Sequence, residues 1–466
     1  MALPPGTVAV GSATLYGSLQ PGVLVDQGGT VHVAFIQRRE VPSIQYSLHY
    51  TRRTAGAGAF EAEREIVGPW GSDRSFSTPE IIEDPGGGRL ILIVGVFEPS
   101  VGVGGREGVW AAVSTNGGAT WGTPAIIFDD FYAQGSVALR PTDRALGLVP
   151  GLTGVGRLIV PPGLTLQTKA SFITGSDYVL QLSDRISSRA EVDQAFDTDG
   201  RSYTMFESTT AGWVHVGGTA STNGSDRGQP LDMPVGTGWV NLSLAGGPRG
   251  VGILETPQFG GGPLTFHRLS SAGADAGVNV PNSPGSARAV FPALDAGPDG
   301  AFLASWVSDV GLVSRRSDDG GATWSGLHTL VKKADGLPPA ESPLAIGGSG
   351  SSVGAIAWTD VDSSQAVVLP FDAKATDPPP TPGSPPPPPG AAPPRRAQPA
   401  CAGLKGAKRT TCLLAHRRAG CRKLRGAKRA ACLHRVARSA CLTKKGRARA
   451  RCLAKLTPPR KPVRRR

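Results

Sequence analysis

Ser114-Thr-Asn-Gly-Gly-Ala-Thr-Trp121 recurs almost unchanged 203 positions later as Ser317-Asp-Asp-Gly-Gly-Ala-Thr-Trp324. We call these stretches box 1 and box 2. Apolar runs of strand length flank both boxes: Val109–Val113 and Ala125–Phe128 around box 1, and Leu327–Val331 after box 2. Because glycine adopts the positive φ that a tight turn requires, each box predicts a β-hairpin turn.

The side chains of the boxes suit a self-contained turn. Asn116 and Asp319 can accept hydrogen bonds from the backbone N–H groups of their own turn. The two tryptophans can cover the outer strands and bury a large apolar area. We therefore expect structural roles for ten box residues: Ser114, Asn116, Gly118, Thr120, Trp121, Ser317, Asp319, Gly321, Thr323 and Trp324.

The pattern Ser-x-Asp-x-Gly-x-Thr-Trp resembles the Asp-box of sialidases and other Asp-box (BNR-repeat) propellers. Box 1 departs from this pattern because Asn116 replaces the aspartate. The resemblance implies a β-propeller in which each box is a hairpin late in a blade, on the rim away from the active-site face. Box 1 and box 2 cover 16 residues, and the rhythm of strands and turns extends the resemblance over about 350.

Apolar runs recur about 45 to 70 residues apart, and several follow a turn rich in Asp and Gly. The runs are Val31–Phe35, Leu90–Val94, Leu158–Val160, Tyr203–Phe206, Val251–Leu254, Ala301–Ala304 and Val353–Ala357. No long segment before residue 400 has a helical apolar period, so the body is predicted to be all-β. This spacing favours a propeller of seven blades, or of six if residues 134–190 are an insertion. Residues Thr7–Val10 are expected to close the ring beside the last blade.

Sialidases, as the resemblance implies, use an arginine triad, a Tyr–Glu nucleophile pair, an Asp acid/base and a Phe-Arg-Ile-Pro-like segment. The nearest string, Phe35-Ile-Gln-Arg-Arg39, does not match that segment. Tyr203 and Glu207, four apart on a strand, share a face and could pair, although a cross-strand or surface contact is the favoured alternative. Asp73 fits an acid or a turn residue equally well. The catalytic residues therefore stay unassigned.

The sequence offers no pattern for a metal or a nucleotide cofactor. Five histidines of the body are scattered without a His-x-x-x-His pair, namely His32, His49, His215, His267 and His328. Structural or surface roles are expected for them. Gly260–Gly262 precedes no helix and is expected to be a loop. We therefore expect no metal and no cofactor.

The charge of the 466-residue chain is concentrated at one end. Residues 395–466 hold 25 of the 49 Lys and Arg residues and no Asp or Glu. The first 394 residues hold 24 basic and 36 acidic residues, so their net charge is −12 while that of the tail is +25. A strongly cationic tail predicts binding to polyanions, such as an anionic cell-wall polymer.

All six cysteines lie in this tail, in a 20-residue unit that occurs three times: Cys401, Cys412, Cys421, Cys432, Cys441 and Cys452. Two cysteines 11 apart on one helix would lie roughly 16 Å apart, too far to bond. A turn at the recurring Gly406, Gly426 and Gly446 would bring them together. We predict three small helical hairpins, each closed by a disulfide, with a reduced, disordered tail as the alternative.

Residues 378–394 contain 11 prolines and form a polyproline spacer of at most roughly 50 Å. We therefore divide the chain into a propeller (1–375), a proline-rich linker (376–396) and a basic Cys-repeat tail (397–466). Disulfides imply an oxidising compartment, hence an extracellular or cell-wall location, although the start lacks the features of a signal peptide. No apolar run is long enough to span a membrane, and we expect a monomer.

Three functions fit these features. The first is a secreted propeller without demonstrable catalysis that binds a carbohydrate or protein, with a tail that binds anionic polymer. The second is an exo-glycosidase of the sialidase type with diverged motifs. The third is nucleic-acid binding through the tail, which would be mostly phosphate-driven because residues 395–466 contain no aromatic side chain.

Overall fold

The computed structural model describes most of the body and none of the tail. The described residues are 4–11, 19–39, 43–71, 75–84, 86, 88–97, 108–128, 136–148, 155–156, 158–166, 178–180, 193–208, 212–217, 229–231, 240–257, 264–270, 273–275, 277–281, 289–335, 345–348, 350–360 and 365–377. The chain divides into two units, 1–378 and 379–466. The predicted tail hairpins and all six cysteines lie outside the described residues.

The described part of the body is all-β, as the apolar runs predict. Its first three sheets, which we number in chain order, occupy residues 19–160. Sheet 1 contains β2 (Leu19–Val25), β3 (Val31–Arg39), β4 (Gln45–Arg53) and β5 (Arg64–Trp70). Sheet 2 contains β6 (Ser75–Phe76), β7 (Glu80–Asp84), β8 (Arg89–Phe97), β9 (Gly108–Ser114) and β10 (Ala125–Phe128). Sheet 3 contains β11 (Val137–Leu139), β12 (Leu146–Leu148) and β14 (Leu158–Val160), and a separate pair joins β13 (Val155–Gly156) to β15 (Tyr178–Leu180).

Four more sheets follow along the chain. Sheet 4 contains β16 (Asp193–Phe196), β17 (Ser202–Ser208), β18 (Gly212–Gly217) and β19 (Gln229–Leu231). Sheet 5 contains β20 (Val240–Gly247), β21 (Gly250–Pro257), β22 (Leu264–Ser270), β23 (Gly273–Ala274) and β24 (Val278–Val280). Sheet 6 contains β25 (Ala289–Ala296), β26 (Phe302–Ser308), β27 (Gly311–Ser317) and β28 (His328–Lys332). Sheet 7 contains β29 (Ala345–Gly347), β30 (Val353–Asp360), β31 (Gln365–Asp372) and the N-terminal β1 (Val8–Ala9).

A short 3₁₀ turn spans Lys333–Asp335. No described helix has the length and apolar character needed to cross a membrane.

The sheets are arranged in a ring, as in a β-propeller. Contacts link the leading strands in the order β2, β7, β11, β16, β20, β25, β29 and back to β2. The N-terminal strand completes sheet 7, because Val8 pairs with Val368 and Ala9 with Val367 across β1 and β31. The expected ring closure by Thr7–Val10 is confirmed. Since the first and last strands share one sheet, the two ends of the body are held together by a ladder of hydrogen bonds.

The hydrophobic core lies between neighbouring sheets. The packing of β8 explains why the run Leu90–Val94 is continuously apolar. Ile91 and Ile93 pack in a cluster with sheet 3, while Leu92 and Val94 pack in a cluster with sheet 1. Successive side chains of a strand point to opposite faces, and here both faces are buried. An uninterrupted apolar run is therefore the sequence pattern of a strand packed between two sheets.

Candidate functional site

Box 1 connects β9 to β10 and forms a closed set of hydrogen bonds. The Ser114 hydroxyl donates to Asn116 Oδ1 at 2.9 Å and accepts the Gly118 N–H at 2.8 Å. Thr120 N donates to Asn116 Oδ1 at 2.9 Å, and Asn116 Nδ2 donates to Thr120 Oγ1 at 2.9 Å. The amide side chain thus binds both ends of the turn, and its oxygen accepts a backbone N–H of the turn as the sequence predicts.

Box 2 connects β27 to β28 with the same geometry. The Ser317 hydroxyl donates to Asp319 Oδ1 at 2.8 Å and accepts the Gly321 N–H at 2.7 Å. Thr323 N donates to Asp319 Oδ1 at 2.8 Å, and the Thr323 hydroxyl donates to Asp319 Oδ2 at 2.6 Å. The boxes differ at the threonine, whose hydroxyl accepts a hydrogen bond in box 1 and donates one in box 2.

The tryptophan of each box packs against an aromatic ring of the preceding sheet. Trp121 lies edge-on to Tyr50 of β4, with ring centroids 4.9 Å apart. Trp324 lies edge-on to Phe266 of β22, with centroids 5.3 Å apart. Each box therefore joins its sheet to the one before it.

Arginines of the preceding sheet bind the carbonyl groups of the boxes. Arg52 Nη1 donates to the Gly117 carbonyl at 2.5 Å, and Arg64 donates to the Ala119 carbonyl. At box 2, Arg268 Nη2 donates to the Asp319 carbonyl at 2.8 Å, and Arg249 Nη1 donates to the Asp318 carbonyl at 2.7 Å. A charged donor strengthens such bonds, so both turns are fixed to their neighbours by polar and apolar contacts together.

This partnership has a sequence signal that the analysis of the boxes missed. Tyr50-x-Arg52 and Phe266-x-Arg268 share one spacing, an aromatic residue followed two positions later by arginine. On a strand, residues two apart point to the same face, so the ring and the guanidinium both reach the following sheet. Each such pair lies about 50 to 65 residues before its box.

We expect Asp319 to make box 2 sensitive to acid. Desolvation raises the pKa of Asp319, but hydrogen bonds from Thr323 and Ser317 outweigh it and lower the pKa to about 2. Because this folded pKa lies below the ordinary value of 3.8, the ionised carboxylate stabilises the fold above about pH 4, and the contribution is lost as the pH falls towards 2. In urea unfolding between pH 2 and 5, the free energy of unfolding should fall less steeply with decreasing pH for Asp319→Asn than for the wild type.

Box 1 supplies the matched control for this prediction. Asn116→Asp places a carboxylate at the equivalent position and should add acid sensitivity where none exists at that site. If the free energy of unfolding depends on pH equally for Asp319→Asn and the wild type, ionisation of the Asp319 carboxylate makes no net contribution to stability.

Tyr203 is bound to the turn that precedes its strand. Its hydroxyl donates to Asp197 Oδ2 at 3.2 Å, and Asp197 Oδ1 accepts the Arg201 N–H at 2.8 Å. Sheet 1 repeats this arrangement, because His32 Nε2 lies 3.1 Å from Asp26 Oδ2. Burial and the Asp197 carboxylate raise the pKa of Tyr203 to about 12. The hydroxyl therefore keeps its proton at neutral pH.

Other candidates from the sequence lie partly beyond the described residues. The side chain of Glu207, the sequence partner of Tyr203, is outside them, as are Asp73 and the side chain of His215. Of the remaining histidines, His267 Nε2 lies 3.2 Å from Glu255 Oε1, and this hydrogen bond raises the pKa of His267. Within the described residues, no three His, Cys, Asp or Glu side chains are grouped to hold a metal ion.

Two carboxyl groups with strongly raised pKa values, Glu80 and Asp193, lie on the leading strands of the ring, which are its inner strands. The sequence analysis did not single out either residue. Glu80 Oε2 on β7 accepts the Val137 N–H at 2.9 Å. Asp193 on β16 accepts the Ser136 hydroxyl at 3.0 Å and the Leu244 N–H at 2.9 Å. Burial raises the pKa of Glu80 well above its ordinary value, and it raises the pKa of Asp193 to about 6. Both carboxyl groups bind neighbouring sheets through these contacts.

No protein-family model matches the chain, and no curated protein matches its sequence. Among solved structures, an α-L-arabinanase from Penicillium chrysogenum in complex with arabinobiose is similar at a TM-score of 0.45 and 14% identity, covering 81% of this chain and 100% of its own.

Two further solved structures come from sialidases. An intramolecular trans-sialidase from Ruminococcus gnavus is similar at a TM-score of 0.39 and 10% identity, covering 78% of this chain and 96% of its own. The NanB sialidase from Streptococcus pneumoniae is similar at a TM-score of 0.39 and 11% identity, covering 66% of this chain and 67% of its own. Similarity at this level concerns the fold alone and assigns no activity to this chain.

Proposed function

We propose that this protein is a secreted or surface-associated Asp-box propeller that binds a carbohydrate or protein, with a cationic tail that binds anionic polymers. The observation behind the proposal is the charge distribution, +25 in residues 395–466 against −12 in the rest of the chain. Its test is the salt dependence of polyanion binding by the full chain and by a chain ending at Asp377. Cell-wall polymers of the teichoic type, heparin and DNA share the polyanionic chemistry that the tail would recognise.

The body in this proposal has seven blades, one for each of sheets 1 to 7. Its support is the cyclic order of the leading strands and the completion of sheet 7 by β1. The ten box residues have the structural role of joining successive blades, in keeping with their hydrogen bonds and their contacts to Tyr50 and Phe266. The division at 375 and 396, the monomeric state and an extracellular or cell-wall location belong to the same proposal.

The tail forms three disulfide-closed hairpins, one in each 20-residue unit. The regular spacing from Cys401 to Cys452 supports this part of the proposal. Thiol titration of the secreted protein under denaturing conditions tests it, because closed hairpins leave few free thiols and an open tail leaves six.

The alternative is an exo-glycosidase of the sialidase type, and we expect no measurable sialidase turnover. The hydroxyl of Tyr203, the one tyrosine that the sequence places near a glutamate, is bound to Asp197 as His32 is bound to Asp26. A tyrosine whose pKa is raised to about 12 is a weak nucleophile at neutral pH. The measurement is fluorophore release from a generic aryl sialoside. Release above blank that is abolished by Tyr203→Phe would establish the glycosidase instead.

Nucleic-acid binding through the tail is a third candidate with a distinct signature. A phosphate-driven interaction depends on charge and is insensitive to base sequence, because the tail has no aromatic residues for stacking. Competition between duplexes of unrelated sequence distinguishes it from specific recognition. Binding that is equal for DNA and heparin of matched charge density favours a general polyanion tail.

A further inference from the structure

Four successive inner strands place a polar side chain at one equivalent position. Glu80, Ser136, Asp193 and Ser243 each lie four residues before the start of the turn that follows β7, β11, β16 and β20, respectively. Each of these side chains forms a hydrogen bond to the following sheet, at a distance of 2.9 to 3.0 Å. Glu80 accepts the Val137 N–H, the Ser136 hydroxyl donates to Asp193 Oδ1, Asp193 accepts the Leu244 N–H, and Ser243 Oγ accepts the Leu294 N–H. We call these four residues the inner belt.

The two acidic members of the inner belt are coupled through one dipeptide. Glu80 accepts the N–H of Val137, while the hydroxyl of the adjacent Ser136 donates to Asp193. The carboxyl groups therefore approach Ser136-Val137 from the sheet before it and the sheet after it. Both groups are enclosed by protein atoms, although each residue keeps partial contact with solvent.

Two carboxylates in such an environment resist simultaneous ionisation. Desolvation penalises each charge, and the charge on Asp193 further raises the pKa of Glu80. The two carboxyl groups accept different numbers of hydrogen bonds. Asp193 accepts them from Ser136, Leu244 and its own neighbour Gln194, whereas Glu80 accepts one from Val137. The ionised form is therefore better stabilised at Asp193, and a proton is better placed on Glu80.

Other charged groups on the surrounding elements are engaged elsewhere. On β7, Glu83 accepts the Gln27 N–H, and the buried Asp84 binds Arg89 and Arg144. At the end of β11, Arg140 binds Asp143. Asp197 beyond β16 binds Tyr203, and Asp295 on β25 accepts the Gly348 N–H. Within the described part of the ring, no basic side chain pairs with Glu80 or Asp193.

We propose that the native protein keeps one proton on Glu80 while Asp193 is ionised, and that this proton makes the packing of sheets 2 to 5 pH-sensitive. In mild acid only Asp193 carries a charge, and the hydrogen bonds of the inner belt hold the four sheets together. As the pH rises, Glu80 ionises as well, the belt then contains two charges, and the contact between the sheets loosens. A carboxyl group whose pKa is raised by folding binds more protons in the native state than in the unfolded state. The free energy of unfolding therefore falls as the pH rises from the unfolded pKa to the folded pKa of this group.

The test is the pH profile of urea unfolding for the full chain between pH 4 and 8. One proton retained only by the native state changes the unfolding equilibrium by up to about tenfold per pH unit. Glu80→Gln keeps an acceptor for the Val137 N–H and removes the titrating group. We expect this variant to be less dependent on pH than the wild type and at least as stable at pH 8.

Ser243→Ala is the matched control, because it removes an inner-belt hydrogen bond without removing a charge. It should lower stability by a similar amount at every pH. A Glu80→Gln profile that parallels the wild type would overturn the proposal, since another group would then cause the pH dependence.

A second measurement uses the wild-type chain alone and does not depend on how the variants fold. Hydrogen exchange by mass spectrometry, corrected for the intrinsic rate, should show larger opening at pH 8 than at pH 5 in peptides covering 136–148 and 240–247. Peptides from sheet 7 should show no such difference. Uniform protection at both pH values would overturn the proposed loosening of the contact between the sheets.

Discussion

Replacing Gly118 with alanine is expected to lower the free energy of unfolding by roughly 3 kcal/mol, about three times the loss for Gly117→Ala. Both glycines have positive φ, +62° at Gly117 and +78° at Gly118, so alanine strains the backbone at either position. Only at Gly118 would the new Cβ overlap the Tyr50 hydroxyl of the preceding sheet. Urea unfolding of the two variants therefore separates the cost of backbone strain from the cost of forcing two sheets apart.

Box 2 provides an independent repeat of this comparison. Gly321 has φ +90° and its Cβ would overlap the Phe266 ring, whereas the Cβ of Gly320, at φ +72°, would meet Arg249 and Arg268 no closer than 3.3 Å. We expect Gly321→Ala to be the more damaging substitution. Equal losses within either glycine pair would contradict the idea that the boxes are packed tightly against the preceding sheet.

Ending the chain at Asp377 is expected to abolish polyanion binding while leaving the body folded. The last contacts of the body that the structure describes lie there: Asp377 accepts the Thr329 N–H at 3.1 Å and the Thr329 hydroxyl at 2.6 Å. Residues after it include all 25 cationic side chains of the tail. On duplex DNA, a full chain that neutralises six to ten phosphates should lose about a thousandfold or more in affinity between 50 and 200 mM salt.

Neutral dextran, to which neither chain should bind, controls for non-electrostatic adsorption. The shortened chain should unfold cooperatively, since no described strand lies beyond Asp372. Binding by the full chain that is unchanged by salt, or binding retained by the shortened chain, would contradict the assignment of polyanion binding to the tail.

The expected strands follow directly from the sequence. The run Leu90–Val94 predicts a strand, and in the structure its residues 91–94 enter the two clusters on either side of sheet 2. The boxes likewise predict their own turns, because Asn116 and Asp319 bond to atoms within four residues. The closure by Thr7–Val10 could be predicted because, in a ring of sheets, an apolar segment that precedes the first sheet lies beside the last one.

The partners and environments of polar side chains could not be predicted in this way. Tyr203 and Glu207 are close in sequence and share a strand, yet the Tyr203 hydroxyl is bound to Asp197 in the turn before it. Nothing local marks Glu80 as unusual, since its environment comes from Val137 of the next sheet and from Asp193. Desolvation and charge coupling depend on which surfaces meet, so the pKa of such a group is a property of the assembled ring.

The sequence by itself determined the all-β class, the two hairpin turns and the separation of an acidic body from a cationic tail, because strand patterning, turn chemistry and charge are local. The tertiary structure alone decided that box 1 packs on Tyr50 and box 2 on Phe266, and that Glu80 and Asp193 approach the same dipeptide. These contacts join residues 57 to 71 positions apart, and they form only when neighbouring sheets pack face to face.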